Sequence, residues 1–165
     1  MSLQGSTLES TRNASAEVEH TQEFLTFGLG SEEFGIPILK VQEIIGFQRS
    51  TPIPNAPDWV LGVVNIRGVV IPVLDIRSIF GLGFREYDAT SVIIVARIGE
   101  KVIGAAVDRV NDVLAFTDGQ IQATPEVSER VDTHYLTGVG KMDERMVLLL
   151  DIEQVLGGSI HGVAV

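Results

Sequence analysis

Asn65-Ile66-Arg67-Gly68-Val69-Val70-Ile71-Pro72-Val73-Leu74-Asp75-Ile76-Arg77 puts an arginine at a turn, then an apolar strand, then a helix start. The chain rewrites part of that pattern near its end. Val69 to Gly81 reads VVIPVLDIRSIFG, and Arg145 to Gly157 reads RMVLLLDIEQVLG. The shared frame is an apolar strand, Asp-Ile, two polar residues, two apolar residues and Gly. Asp75 is placed to cap a short helix, with Ile76, Ile79 and Phe80 at core spacing and Gly81 at its C-terminal end. Asp151, Ile152, Val155, Leu156 and Gly157 repeat those roles. A strand–helix–Gly frame used twice predicts two similar small units, each closed at one end by a short helix.

Working outward, Leu25, Phe27 and Leu29 alternate, Gly30-Ser31-Glu32-Glu33 turns, and Phe34, Ile36 and Ile38 alternate again, which predicts a hairpin with one buried face. From Leu39 to Ile45 the spacing changes. Val41, Ile44 and Ile45 fall on one helical face, so a helix is expected there, with Ile44 and Ile45 in the core and Ile38 and Val41 either in the core or in an apolar patch beside Glu43. Three prolines between Ser50 and Asp58 make an extended connection. Gly99-Glu100 between two apolar runs is the pattern of a type II′ hairpin. Pro72 inside an apolar strand argues for an edge or a bulge. Short strands punctuated by Gly favour barrels over a parallel α/β sheet. The expected fold is mainly β: two similar small barrels sharing a core, with a few short helices. Residues 1–22 are rich in Ser, Thr and Glu, too polar to offset the entropy of ordering, and are read as a disordered tail. The domain is expected over 23–157, with a C-terminal tail from 158 to 165.

Composition excludes several classes. The net charge is −10 and disfavours nucleic acid and anionic membrane surfaces. There is no cysteine, so disulfides, thiol catalysis and Cys-ligated zinc are absent. No apolar run approaches the roughly 20 residues that span a bilayer, and the N-terminus lacks a signal-peptide pattern. A cytoplasmic protein without membrane insertion is expected. His20, His134 and His161 offer no metal-binding spacing. There is no nucleophile elbow, and Gly138-Val139-Gly140-Lys141 fails as a phosphate loop because Met142 follows it. Asp108 with Asp112, and Asp143 with Glu144, are read as solvated turn carboxylates. No catalytic residue, metal or cofactor is expected; the reading is of a binding protein, not an enzyme.

Arg67 has two readings. It is either a solvated turn residue paired with a nearby carboxylate, or an anchor offering a fork of hydrogen bonds to a partner. Gly62 and Gly68 on either side would let another backbone come close.

Asn65-Ile66-Arg67-Gly68, followed by Pro72, Asp75 and Arg77, resembles the signature of the CheW family of chemotaxis coupling proteins. So do Phe34-Gly35-Ile36 with Leu39-Lys40-Val41-Gln42-Glu43-Ile44, Val107-Asp108 with Val110-Asn111-Asp112-Val113, and Tyr135-Leu136-Thr137-Gly138. The resemblance spans Gln22 to about Leu156. It implies two five-stranded SH3-like β-barrels around a common core. It also implies a scaffold linking methyl-accepting chemoreceptors to the regulatory domain of the histidine kinase CheA at the inner face of the membrane. Receptor helical-hairpin tips would lie in a groove formed by Ile38, Val41, Glu43, Gly62, Asn65 and Arg67, with Val92 and Val113 lining or supporting it. Kinase contacts are expected at the barrel ends, between Ile121 and Val127. The alternatives are a coupling protein of a related array, for twitching or another output, and a generic SH3-like peptide-binding module. The last would need an aromatic-lined groove, and Trp59, Tyr87 and Tyr135 are scattered.

Overall fold

The computed structural model describes residues 20–83, 86–123 and 133–160. The proposed N-terminal tail falls almost wholly outside them, and so does Val127. Eleven strands are present among the described residues: β1 (Thr21–Leu29), β2 (Glu32–Pro37), β3 (Val41–Gly46), β4 (Val60–Ile66), β5 (Val69–Asp75), β6 (Val92–Ile98), β7 (Lys101–Val107), β8 (Arg109–Thr117), β9 (Ile121–Gln122), β10 (Leu136–Met142) and β11 (Arg145–Leu150). Two short helices follow the repeated strands, α1 (Ile76–Ile79) and α2 (Glu153–Gly157), the second wound as a π-helical turn.

The strands form a six-stranded sheet in the order β8-β1-β2-β11-β10-β9 and a five-stranded sheet in the order β3-β6-β7-β5-β4. Aligned on each other, the two orders are one plan. Each sheet joins two hairpins through a parallel pair, β5 beside β7 in one and β11 beside β2 in the other. One hairpin of each sheet then gives its next strand away: β3 follows the β1–β2 hairpin but pairs with β6, and β8 follows β6–β7 but pairs with β1. The units are therefore intertwined, and β9, absent from the five-by-five expectation, has a one-residue counterpart in the Thr51–Val63 bridge. The mainly β, two-unit architecture with few short helices is as expected.

The sequence repeat is now physical. Val73 in β5 faces Gly104 in β7, and Leu149 in β11 faces Gly35 in β2. Both glycines are needed because a Cβ would meet Ile93 at 2.8 Å in one case and Val147 at 3.1 Å in the other. Asp75 accepts a hydrogen bond from Arg77 N at 3.2 Å, and Asp151 accepts one from Gln154 N at 3.2 Å, so both caps form. One core joins the units: Leu25, Phe27, Phe34 and Ile36 meet Leu74, Ile94, Ile103 and Val107 from the other sheet. A smaller apolar cluster serves each unit separately, Val64, Ile71, Val73 and Ile93 in one, Phe24, Phe116, Val147 and Leu149 in the other.

Four expectations are corrected. Residues 39–45 are not a helix. A 3₁₀ turn over Ile38–Lys40 leads into β3, whose residues alternate half-buried and exposed. Ile44, expected in the core, is 42% exposed, while Ile38 and Val41 pack on the shared core. The in-facing set is Val41, Glu43 and Ile45, and the acidic member hid the period of two. Strand β5 is interior, between β4 and β7; its parallel pairing starts at Val73, so the missing N–H of Pro72 falls before that ladder. Asp108 is not solvated: it is buried against Arg77. Order also continues past 157, since Gly158 and Ser159 extend the helix and Ile160 is buried.

Candidate functional site

The β4–β5 turn carries Arg67 at φ 52° and Gly68 at φ 87°. Two successive left-handed residues make a type I′ hairpin turn, where Asn-Gly is favoured and a long side chain is strained. Asn65 supports the turn by accepting the Gly68 N–H at 2.8 Å. Held there, the Arg67 guanidinium donates to Glu43 on β3. Because β3 and β4 lie at opposite margins of the five-stranded sheet, this ion pair links the two margins. Arg67 remains 72% exposed, and Val69 and Val70 just beyond it are 57% and 53% exposed. Both readings of Arg67 thus meet: it has a carboxylate partner, yet most of its fork faces solvent.

The other predicted residues divide. Gly62, in β4, does admit a backbone, but it is the chain's own: a Cβ there would lie 2.2 Å from Thr51 O. Nothing approaches Gly68 within 4 Å. Val92 opens β6, opposite Gly46, and packs on the shared core with Ile38 and Val41. Val113 is exposed on β8 of the six-stranded sheet, so it belongs to the other unit. Ile121 lines a cavity of about 360 Å³ with Phe24, Leu149 and Asp151.

Two charged clusters escaped the sequence reading. Arg77, just inside α1, donates to Asp108 at 2.8 Å, to Leu82 O and to Gly83 O, and Asp108 also accepts from Gly30 N at 2.7 Å. This buried set ties the first helix to the first hairpin turn, across the units. In the six-stranded unit Arg145 is held between two acids, with Nη2 2.5 Å from Glu33 and 2.9 Å from Asp112. Hydrogen bonds from Arg145 and then Thr26 hold the Asp112 carboxyl at about 2, while hydrogen bonds to Asp112 and then Glu33 push the Arg145 guanidinium pKa upward. Burial works against ionised Glu33, but Arg145 and Asn111 outweigh it and its pKa is lowered. The signal in the repeats was a change of charge at matching places: Arg145 stands where the first copy has Val69, and Arg77 where the second has Glu153.

Among the described residues no group of three or more His, Asp or Glu could hold a metal ion, and no helix is long and apolar enough to cross a membrane. Fold and site together define a two-unit β domain whose prominent surface feature is an exposed, strained arginine turn, the form of a recognition module. Residues 23–159 match the CheW-like domain. The chain is 50% identical over 138 residues to "Chemotaxis protein CheW" of Klebsiella aerogenes, covering 84% of this chain and 83% of that one. It is 27% identical over 146 residues to "Protein FrzA" of Myxococcus xanthus, covering 88% and 91%. Among solved structures it resembles the scaffolding protein TtCheW from Thermoanaerobacter tengcongensis, with a TM-score of 0.77 at 30% identity over 82% of this chain and 92% of that one. The chain belongs to the CheW family.

Proposed function

We propose that this protein is a non-enzymatic adaptor that couples methyl-accepting chemoreceptors to the histidine kinase CheA at the inner face of the membrane, with the Arg67 turn as its receptor-docking point. The observation that carries the reading is Arg67 itself. A strained turn presents a mostly exposed guanidinium that has one carboxylate partner, beside exposed Val69 and Val70. Such a group can exchange or share Glu43 with a partner's acceptor at little cost in stability. Ile38, Val41 and Val92 support the face from the shared core; Glu43, Gly62 and Asn65 fix the turn and the seam. Val113 and Ile121 belong to the opposite unit, which leaves that unit for the kinase. Coupling between two such sites typically amounts to about 1–3 kcal/mol, enough to bias a kinase equilibrium.

Pull-down of Arg67→Glu with receptor signalling domains tests this. Receptor retention is expected to fall at least tenfold while circular dichroism stays unchanged. Undiminished retention by a folded variant would remove Arg67 from the docking point. Reconstitution with receptor and kinase tests the wider role, with kinase autophosphorylation expected to depend on this protein.

A further inference from the structure

The two small apolar clusters occupy matching places, but they are finished differently. In the five-stranded unit, Tyr87 packs on the cluster containing Val73 and Ile93 and stacks on Phe47, with ring centroids 4.1 Å apart at 12°. Its hydroxyl is buried without a hydrogen-bond partner among the described residues, and burial, then the neighbouring Asp75 carboxylate, pushes its ionisation far above the phenol range. In the six-stranded unit, Leu149, Phe24 and Asp151 stand where Val73, Ile93 and Asp75 stand. There they line an open cavity of about 360 Å³. Among the described residues no ring fills it.

The reason lies in one residue. Phe116 is the counterpart of Phe47: it pairs with Gln22 as Phe47 N bonds to Ser91 O. Gly140 faces Val147 as Val64 faces Ile71. At Gly140 a Cβ would lie 2.8 Å from the Phe116 ring, so only glycine lets that ring sink into the cluster. Phe116 is fully buried, whereas Phe47 remains half-exposed beneath Tyr87. Sinking Phe116 leaves the outer space vacant, floored by Phe24 and Leu149 and edged by Ile121, Thr137 and Asp151.

We propose that this cavity receives a tyrosine side chain from a partner protein, as the other unit receives its own Tyr87. The proposal rests on the adaptor reading for there being a protein partner, and it names the chemistry of that partner's anchor. The apolar floor suits the ring, and Asp151 is placed to accept the hydroxyl. The chain's own two tyrosines, Tyr87 and Tyr135, lie elsewhere. Outside the described residues the sequence has no Tyr or Trp and one Phe, Phe84. In sequence, Val18 stands as far before Phe24 as Tyr87 does before Ile93.

N-acetyl-tyrosinamide titrated into the isotopically labelled full chain tests the proposal by NMR. Saturable shifts are expected at Phe24, Ile121 and Leu149, with N-acetyl-leucinamide binding about tenfold more weakly. Thr137→Trp, which places a ring over the cavity, is expected to abolish them, with Gln22→Trp as a second blocking variant should the first fail to fold. Shifts that are absent, lie elsewhere or persist in a folded blocking variant would overturn it. So would contacts from Val18 methyls to Phe24 or Leu149 in the free protein, which would make the occupant the chain's own N-terminal segment. Neither receptor nor kinase is present, so this failure and a failed pull-down are separate results.

Discussion

The two units each clamp a donated strand with an arginine and a carboxylate, yet the two closures are built for different work. Glu43 and Asp112 occupy matching places on the donated strands β3 and β8. Asp112 meets Arg145, which also grips Glu33, while Asn111 and Thr26 support the two acids. Glu43 meets Arg67 alone, and Arg67 sits in a left-handed turn with its fork mostly in solvent. The helices contrast in the same way. Arg77 and Asp108 are buried and multiply bonded, whereas Glu153, in Arg77's place, pairs with Lys40 at 3.2 Å in the open. An ion pair with several partners and little water around it fixes structure. A singly paired, exposed one adds little stability and is available to a ligand.

Removing the most buried member gives the largest expected effect. Arg77→Ala leaves Asp108 buried against Gly30 N without its guanidinium and is expected to cost about 3–5 kcal/mol in denaturant unfolding. Glu153→Ala, at the matching place, is expected within about 0.5 kcal/mol of wild type. Equal effects would break the comparison. Arg145→Ala follows, at about 1–2 kcal/mol once solvent screening of its exposed side is allowed for.

That closure also has a pH signature. Asp112 titrates at about 2 in the folded chain, below its ordinary 3.8, and Glu33 is lowered too. Lowered carboxyls contribute stability that is complete above their unfolded pKa values and is lost as pH falls through the folded ones. Unfolding midpoints should therefore drop between about pH 4.5 and pH 2, and the slope should flatten in Arg145→Ala. An unchanged slope would detach Arg145 from the acid response. The smallest effect is expected at the other closure. Arg67→Asn relieves the left-handed strain and should leave stability unchanged or raise it by up to about 1 kcal/mol. Receptor retention should nevertheless fall as for Arg67→Glu. A clear loss of stability would make Arg67 a structural residue like Arg145.

Much of this was legible from residues. The strand–Asp-Ile–Gly frame marked both helices, the alternation in Leu25–Ile36 marked the first hairpin, and Arg67 stood out as a turn arginine. Strand β3 was misread because an in-facing Glu43 broke the apolar alternation, and a glutamate faces inward there only because Arg67 arrives from the far margin of the sheet. Asp108 was misread for a related reason. Its partner Arg77 lies far away in sequence, and no local pattern distinguishes a buried acid from a solvated one.

The sequence by itself determined the period of each hairpin, the two capped helices and the internal duplication, because these follow from side-chain alternation, turn residues and caps within a few neighbours. Only the tertiary structure decided that one hairpin of each unit donates its next strand to the other, which acid each arginine meets, and which apolar cluster is plugged. Those outcomes depend on contacts between residues distant in the chain, and on Gly140 against Val64, where a single side chain decides whether a neighbouring ring sinks into the cluster or remains outside it.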